Sequence, residues 1–176
     1  DRWSRVVTMA VPPAGAVAGG FLTYKQLQRS WYMFFFQHAL SDMVVGMNDL
    51  SFIDDLWADW SPGYDAAEDL PHVKDCLRDP ANLAAALGYY RATLGGVGVD
   101  PALDTVQNKG NDVTAQPTLY LHGRTDGCMG IEVAEMAAMF LTSPGSRMEV
   151  VDDAGHFLHV ERPDHVNNLI IDFLTT

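Results

Sequence analysis

Two short loops constrain this chain more than any other feature. Pro117-Thr118-Leu119-Tyr120-Leu121-His122-Gly123-Arg124-Thr125-Asp126-Gly127 is an apolar run that ends at a carboxylate. Val151-Asp152-Asp153-Ala154-Gly155-His156-Phe157 follows a β-branched run and holds a glycine–histidine pair. Each leads into a stretch with helical spacing. The first is Ile131 to Leu141, stopped by Pro144-Gly145; the second is Asp164 to Leu174, with Val166, Leu169, Ile170 and Phe173 on one face. Strand, loop and helix in that order, twice over, predict parallel strands at Gln116 to His122 and Met148 to Val151 in an α/β sheet. Asp126 and His156 then lie just past strand ends, the edge at which open α/β sheets bind ligands. A carboxylate bonded to a histidine fixes its tautomer and stabilises the imidazolium formed in turnover. Either residue alone reads as a loop aspartate or a satisfied histidine. The two contexts together point to catalysis.

Upstream, Arg5 to Val11 is a short apolar run closed by Pro12-Pro13, which predicts a buried parallel strand. Ala14 to Gly20 is small and glycine-rich and reads as a connector. From Phe21 to about Lys109 the pattern turns helical and aromatic. Leu50, Ile53, Leu56, Trp57 and Trp60 recur at helical spacing, and Asp79 before Pro80 predicts an N-cap for a helix through Leu94. Gly95-Gly96-Val97-Gly98 and Asp100-Pro101 mark the way out. The expected organisation is a core strand and connector over 1–20, an all-helical insert over 21–109, and the rest of the core over 110–176.

Composition narrows the partners. The 176 residues carry a formal net charge of -12, which repels phosphates and argues against nucleic acid or an anionic membrane surface. No segment has the roughly 18 uninterrupted apolar residues of a membrane span, and the opening residues show no signal peptide. Cys76 and Cys128 are too few for a disulfide framework and read as free buried thiols in a reducing, cytoplasmic compartment. No histidine or carboxylate cluster has zinc-like spacing, so no metal is expected. His122 reads as a backbone contact, His159 as pocket lining or packing, and His38, His72 and His165 as surface residues.

Three further segments carry a family resemblance. Tyr32-Met33-Phe34-Phe35-Phe36-Gln37 resembles the tyrosine-containing segment that opens the cap of α/β-hydrolase epoxide hydrolases. Gly88-Tyr89-Tyr90-Arg91 resembles the later tyrosine segment of that cap, and Gly155-His156 with Glu161-Arg162-Pro163 resembles the family's histidine loop and last helix. The resemblance implies the C-terminal half of an α/β-hydrolase fold with an all-helical cap. It implies an enzyme without cofactor that opens an epoxide to a vicinal diol. There an aspartate forms an ester with the epoxide carbon while two tyrosines donate to the ring oxygen. A histidine then activates water against the ester. By position Tyr32 and Tyr90 are the donors, His156 the base and Asp126 its partner, with Tyr89 the competitor of Tyr90. Trp31, Phe35, Phe36 and Phe157 are the expected apolar walls of the substrate site.

The chain departs from the family in one respect. It has neither G-x-S-x-G nor G-x-D-x-G, the elbow that carries the nucleophile. The expectation is an N-terminal half supplying it, on the same chain or a separate one. A homodimer stays open. So do a serine esterase or lipase-like enzyme, a haloalkane dehalogenase and a non-catalytic protein that binds a hydrophobic ligand.

Overall fold

A computed structural model describes residues 2–96 and 98–176; Asp1 and Val97, the latter in the glycine-rich exit, lie outside the described residues. Three parallel strands form one sheet in the order β1-β2-β3: β1 is Val6–Met9, β2 is Thr118–Gly123 and β3 is Arg147–Val151. Val6 pairs with Thr118, and Leu119 pairs with Arg147. All six residues of β2 are buried, as a central parallel strand covered on both faces requires. Its side chains alternate. Leu119 and Leu121 join Val151, Leu158, Val166 and Phe173 on the face of the last helix, α10 (Pro163–Thr175), whereas Tyr120 packs with Ala134 and Ala137 on the other face.

Ala14–Gly20 forms a helix, α1, and not the connector expected from its composition. Glycine disfavours a helix intrinsically, but here close packing decides. A Cβ on Gly20 would sit 2.7 Å from Val133 Cγ2, and one on Gly15 would overlap the Phe140 ring. The bare backbone of α1 therefore lies directly on α8 (Ile131–Ala134). The helix expected over Ile131 to Leu141 is α-helical only in α8 and tightens to a 3-10 turn over Glu135–Met139.

Between β1 and β2 the chain is helical. It runs through α2 (Tyr24–Arg29), α3 (Trp31–Phe35), α4 (Ser41–Trp60), α5 (Leu70–Leu77), α6 (Pro80–Tyr90) and α7 (Asp104–Asn108). Asp79 caps α6 as the sequence predicts, its carboxylate accepting the Ala81 amide at 2.8 Å. A π-helical turn over Arg91–Gly95 continues it. The apolar spacing that predicts α4 does not show its kink: Asn48, Asp49 and Leu50 take φ of 50°, 54° and 60°. Asn and Asp tolerate that left-handed region better than other side chains.

The inserted helices have their own core, built on Tyr32, Phe36, Val45, Leu56, Leu83 and Leu87. Cys128, from the loop after β2, is buried in the same cluster and joins it to the sheet edge. Among the described residues no helix is long and apolar enough to cross a membrane.

Candidate active site

The loop after β2 turns on Asp126. One carboxylate oxygen accepts the amides of Cys128 and Met129 at 2.7 and 2.8 Å, an Asx turn that fixes the side chain. The other accepts the Nδ1–H of His156 at 2.9 Å. Asp126 is buried, and His156 keeps a partly open ring. The approach of the two loops depends on Gly123, because a Cβ there would overlap the carbonyls of Ala154 and Gly155. The His156 loop lies between β3 and α9 (Leu158–Glu161) and is held from three sides. Glu161 accepts the amides of Gly155 at 2.8 Å and Phe157 at 3.0 Å, and the Ser61 hydroxyl donates to it at 2.8 Å. The Trp60 carbonyl accepts the amides of both His156 and Gly127 at 3.0 Å. The Trp60 ring meets the His156 ring edge-on at 5.3 Å.

Burial disfavours a charged His156. Its hydrogen bonds to Asp126 and Cys128 and the negative charge beside it outweigh this, and its pKa is pushed up to about 10. Next to Cys128 the two tyrosines singled out in the sequence meet each other. Tyr32, on α3, is buried with its hydroxyl 3.4 Å from Cys128 Sγ. Tyr90, at the end of α6, meets the Tyr32 ring edge-on at 5.7 Å and the Phe36 ring at 5.2 Å. Burial is the main reason both phenols titrate above their ordinary range, with the neighbouring Cys128 adding to it. Tyr89 is 71% exposed, so the one-residue rotation on α6 turns Tyr90, not Tyr89, toward Tyr32 and Phe36.

The two tyrosine segments are tied together by residues the sequence reading gave no role. Gln37 donates from its amide to the carbonyls of Tyr90 and Met33 at 3.1 and 2.9 Å. Arg91 donates to the Phe36 carbonyl at 2.9 Å and the Ser41 hydroxyl at 2.8 Å, and pairs with Asp42. The Phe-Gln and Tyr-Arg endings of the two motifs thus lock α3 against α6.

The expected wall residues divide. Phe36 is buried against both tyrosines. Phe157 stacks on Trp57 with centroids 4.0 Å apart. Trp31 is half-exposed and borders a cavity of about 580 Å3 that reaches Trp60 and Gly127. Phe35 packs on Trp31 and Phe52, one layer away from His156. A second, apolar cavity of about 190 Å3 lies among Phe36, Ile53, Leu56, Trp57, Trp60 and Tyr90.

Other histidines resolve simply. His159 is exposed, which removes it from the pocket. His122 is fully buried between the Tyr120 hydroxyl at 2.7 Å and the Met129 carbonyl at 3.0 Å. A carbonyl only accepts, so Nε2 carries the proton and Nδ1 accepts from Tyr120. Burial, the largest influence, keeps His122 below its ordinary pKa and neutral.

Cys76 is exposed, against the expectation of two buried thiols. Cys128, free and buried as expected, stands inside the site: its Sγ, a His156 ring nitrogen and an Asp126 oxygen lie within 4.8 Å of one another. Metal ligands point at a common centre, whereas here Asp126 and His156 bond to each other at 2.9 Å. The trio has the form of acid, base and thiol.

No family model matches the chain. Among curated proteins, human epoxide hydrolase 4 is 28% identical over 156 residues, which are 85% of this chain and 40% of that protein. Epoxide hydrolase 3 of Xenopus tropicalis is 28% identical over 99% of this chain and 47% of its own length. The chain thus spans less than half of these relatives. Among solved structures, a Nostoc α/β hydrolase superposes with a TM-score of 0.77 at 20% identity, covering 99% of this chain and 58% of that one. Epoxide hydrolase A of Mycobacterium thermoresistibile gives 0.70 at 21% identity, covering 99% and 62%. The three parallel strands and inserted helices are part of the α/β-hydrolase fold.

Proposed function

We propose that these residues form the histidine, acid and tyrosine part of an epoxide hydrolase that converts an apolar epoxide to a vicinal diol. The observation that carries it is the contact of the buried Tyr32 with the half-buried Tyr90, next to Cys128, whose Sγ lies within 4.8 Å of a His156 ring nitrogen and an Asp126 oxygen. Opening an epoxide puts negative charge on its oxygen. Phenols that stay protonated near neutral pH can donate to that oxygen without first losing a proton. Removing one such donor typically costs about 10²–10³ in turnover. The inserted helices act as a cap, and the apolar cavity beside Tyr90 suits the hydrocarbon end of the substrate. The similarity to proteins named epoxide hydrolases favours the same reading.

In the proposed reaction a carboxylate from outside these 176 residues, on an N-terminal half, attacks the epoxide carbon. The C–O bond breaks, and the new alkoxide is stabilised and protonated at the tyrosines. His156, oriented by Asp126, takes a proton from water, the hydroxide formed hydrolyses the ester, and the proton on His156 then restores the tyrosine that protonated the alkoxide. This step needs neutral imidazole, so turnover rises with pH as His156 releases its proton.

The test is intact-protein mass on the complete gene product carrying His156→Gln after exposure to an aryl epoxide. The expected result is an adduct of one substrate mass on an aspartate. An unmodified protein that still binds the epoxide removes either the aspartate ester or the role of His156.

A further inference from the structure

We infer that Cys128 is a second nucleophile of this site, a thiol served by His156 that captures small neutral electrophiles in a stable thioether. The inference stands apart from epoxide hydrolysis, because it requires neither an external carboxylate nor turnover.

The observations are geometric. Cys128 Sγ, a His156 ring nitrogen and an Asp126 oxygen lie within 4.8 Å of one another, and Asp126 holds the histidine through Nδ1 at 2.9 Å. This is the order of thiol, base and orienting acid that activates cysteine in nucleophilic catalysis. Position is set by the backbone. The Cys128 amide donates to Asp126 at 2.7 Å, and its carbonyl accepts from the buried Gln26 amide at 2.8 Å. From the side of the inserted helices the Tyr32 hydroxyl lies 3.4 Å from Sγ, where it can donate to a thiolate. The titratable groups around the thiol are Tyr32 on α3, Tyr90 on α6, and Asp126 and His156 on the sheet loops, with His122 behind Asp126. Among these groups only His156 becomes cationic on taking up a proton, and Asp126 at its Nδ1 stabilises the imidazolium so formed. A cavity of about 580 Å3 opens beside Gly127, the residue before Cys128.

The chemistry balances without a further reactant. The thiol proton passes to His156, and sulfur forms a bond to the electrophilic carbon as the carbon–leaving-group bond breaks. With a haloacetamide the halide departs and the proton goes to solvent. With an epoxide the C–O bond opens and the alkoxide takes the proton from His156. Unlike an ester, the resulting β-hydroxy thioether is not cleaved by water, so it ends turnover at the site.

Cys76 provides the internal comparison, since it is exposed whereas Cys128 is buried. Accessibility alone predicts that Cys76 reacts first. The experiment treats the folded protein with limiting iodoacetamide at pH 7 and follows both cysteines by peptide mass. Expected is alkylation of Cys128 at least tenfold faster than Cys76, falling at least tenfold in His156→Gln with the Cys76 rate unchanged. A faster Cys76, or a Cys128 rate indifferent to His156→Gln, overturns the inference. Should the variant fail to fold, the native protein decides by the ratio of the two rates before and after unfolding in urea: an activated Cys128 loses its lead over Cys76 on unfolding, and a ratio unchanged by unfolding contradicts the inference.

Discussion

The Trp60 carbonyl accepts the His156 amide at 3.0 Å and accepts the Gly127 amide at the same distance. The last residue of α4 therefore clips together the loop of the acid and the loop of the base. A Cβ at Gly155 would intrude on this joint, 2.5 Å from Ser61 Cα and 2.8 Å from the Trp60 carbonyl. Gly155→Ala is expected to destabilise the protein by about 1–3 kcal/mol, as overpacking does when backbone must move. Urea denaturation checks it, and an unchanged midpoint would mean that the clip is loose.

Glu161 is the second fastener of the His156 loop. Replacing it by alanine leaves the Gly155 and Phe157 amides without their carboxylate acceptor. The expected loss is about 2 kcal/mol, the range for partly buried donors left unpaired beside a lost charged acceptor. Glu161→Gln should recover part of it, since an amide oxygen can still accept one of the two bonds. Equal stabilities for the two variants would argue against the hydrogen-bond account.

Legibility differed between elements for physical reasons. β2 and α10 announce themselves because burial imposes an apolar pattern on consecutive positions. Asp126 and His156 were readable because each closes such a strand. The clip between Trp60 and the two loops left no trace, since it is made of backbone carbonyl and amide groups that any residue supplies. Cys128 was legible as a buried free thiol, but composition is silent on what stands beside it, and only the fold supplies that. The helix α1 was missed because its glycines serve close packing against Val133 and Phe140, a tertiary fact that overrides local propensity.

The charge on His156 yields a pH prediction with a definite sign. Its folded pKa of about 10 lies above the ordinary histidine value of 6.5. The stability it contributes is therefore complete below about pH 6.5 and is lost as pH rises toward 10. The difference in urea midpoint between the protein and His156→Gln should shrink over that window. Cys128 helps hold the imidazolium charged, so Cys128→Ala should lower the His156 titration midpoint seen by NMR. A midpoint that stays or rises would separate Cys128 from His156.

Tyr120→Phe is expected to leave His122 Nδ1 buried without a partner. Such an orphaned acceptor costs about 1–3 kcal/mol. Because the other His122 nitrogen binds the Met129 carbonyl in the turn around Asp126, the variant should also loosen that loop. Amide exchange at Cys128 and Met129 reads this directly, and protection equal to that of the native protein would confine the effect to stability.

The most direct test of the central claim is diol formation from a simple aryl epoxide by the complete gene product, compared with Tyr90→Phe and with Tyr32→Phe/Tyr90→Phe. The account predicts diol from the native protein, at least tenfold less from Tyr90→Phe, and folded proteins in each case by circular dichroism. Hydrolysis of an activated ester with no diol, unaffected by loss of the tyrosines, would contradict it and leave Tyr32 and Tyr90 as packing between α3 and α6.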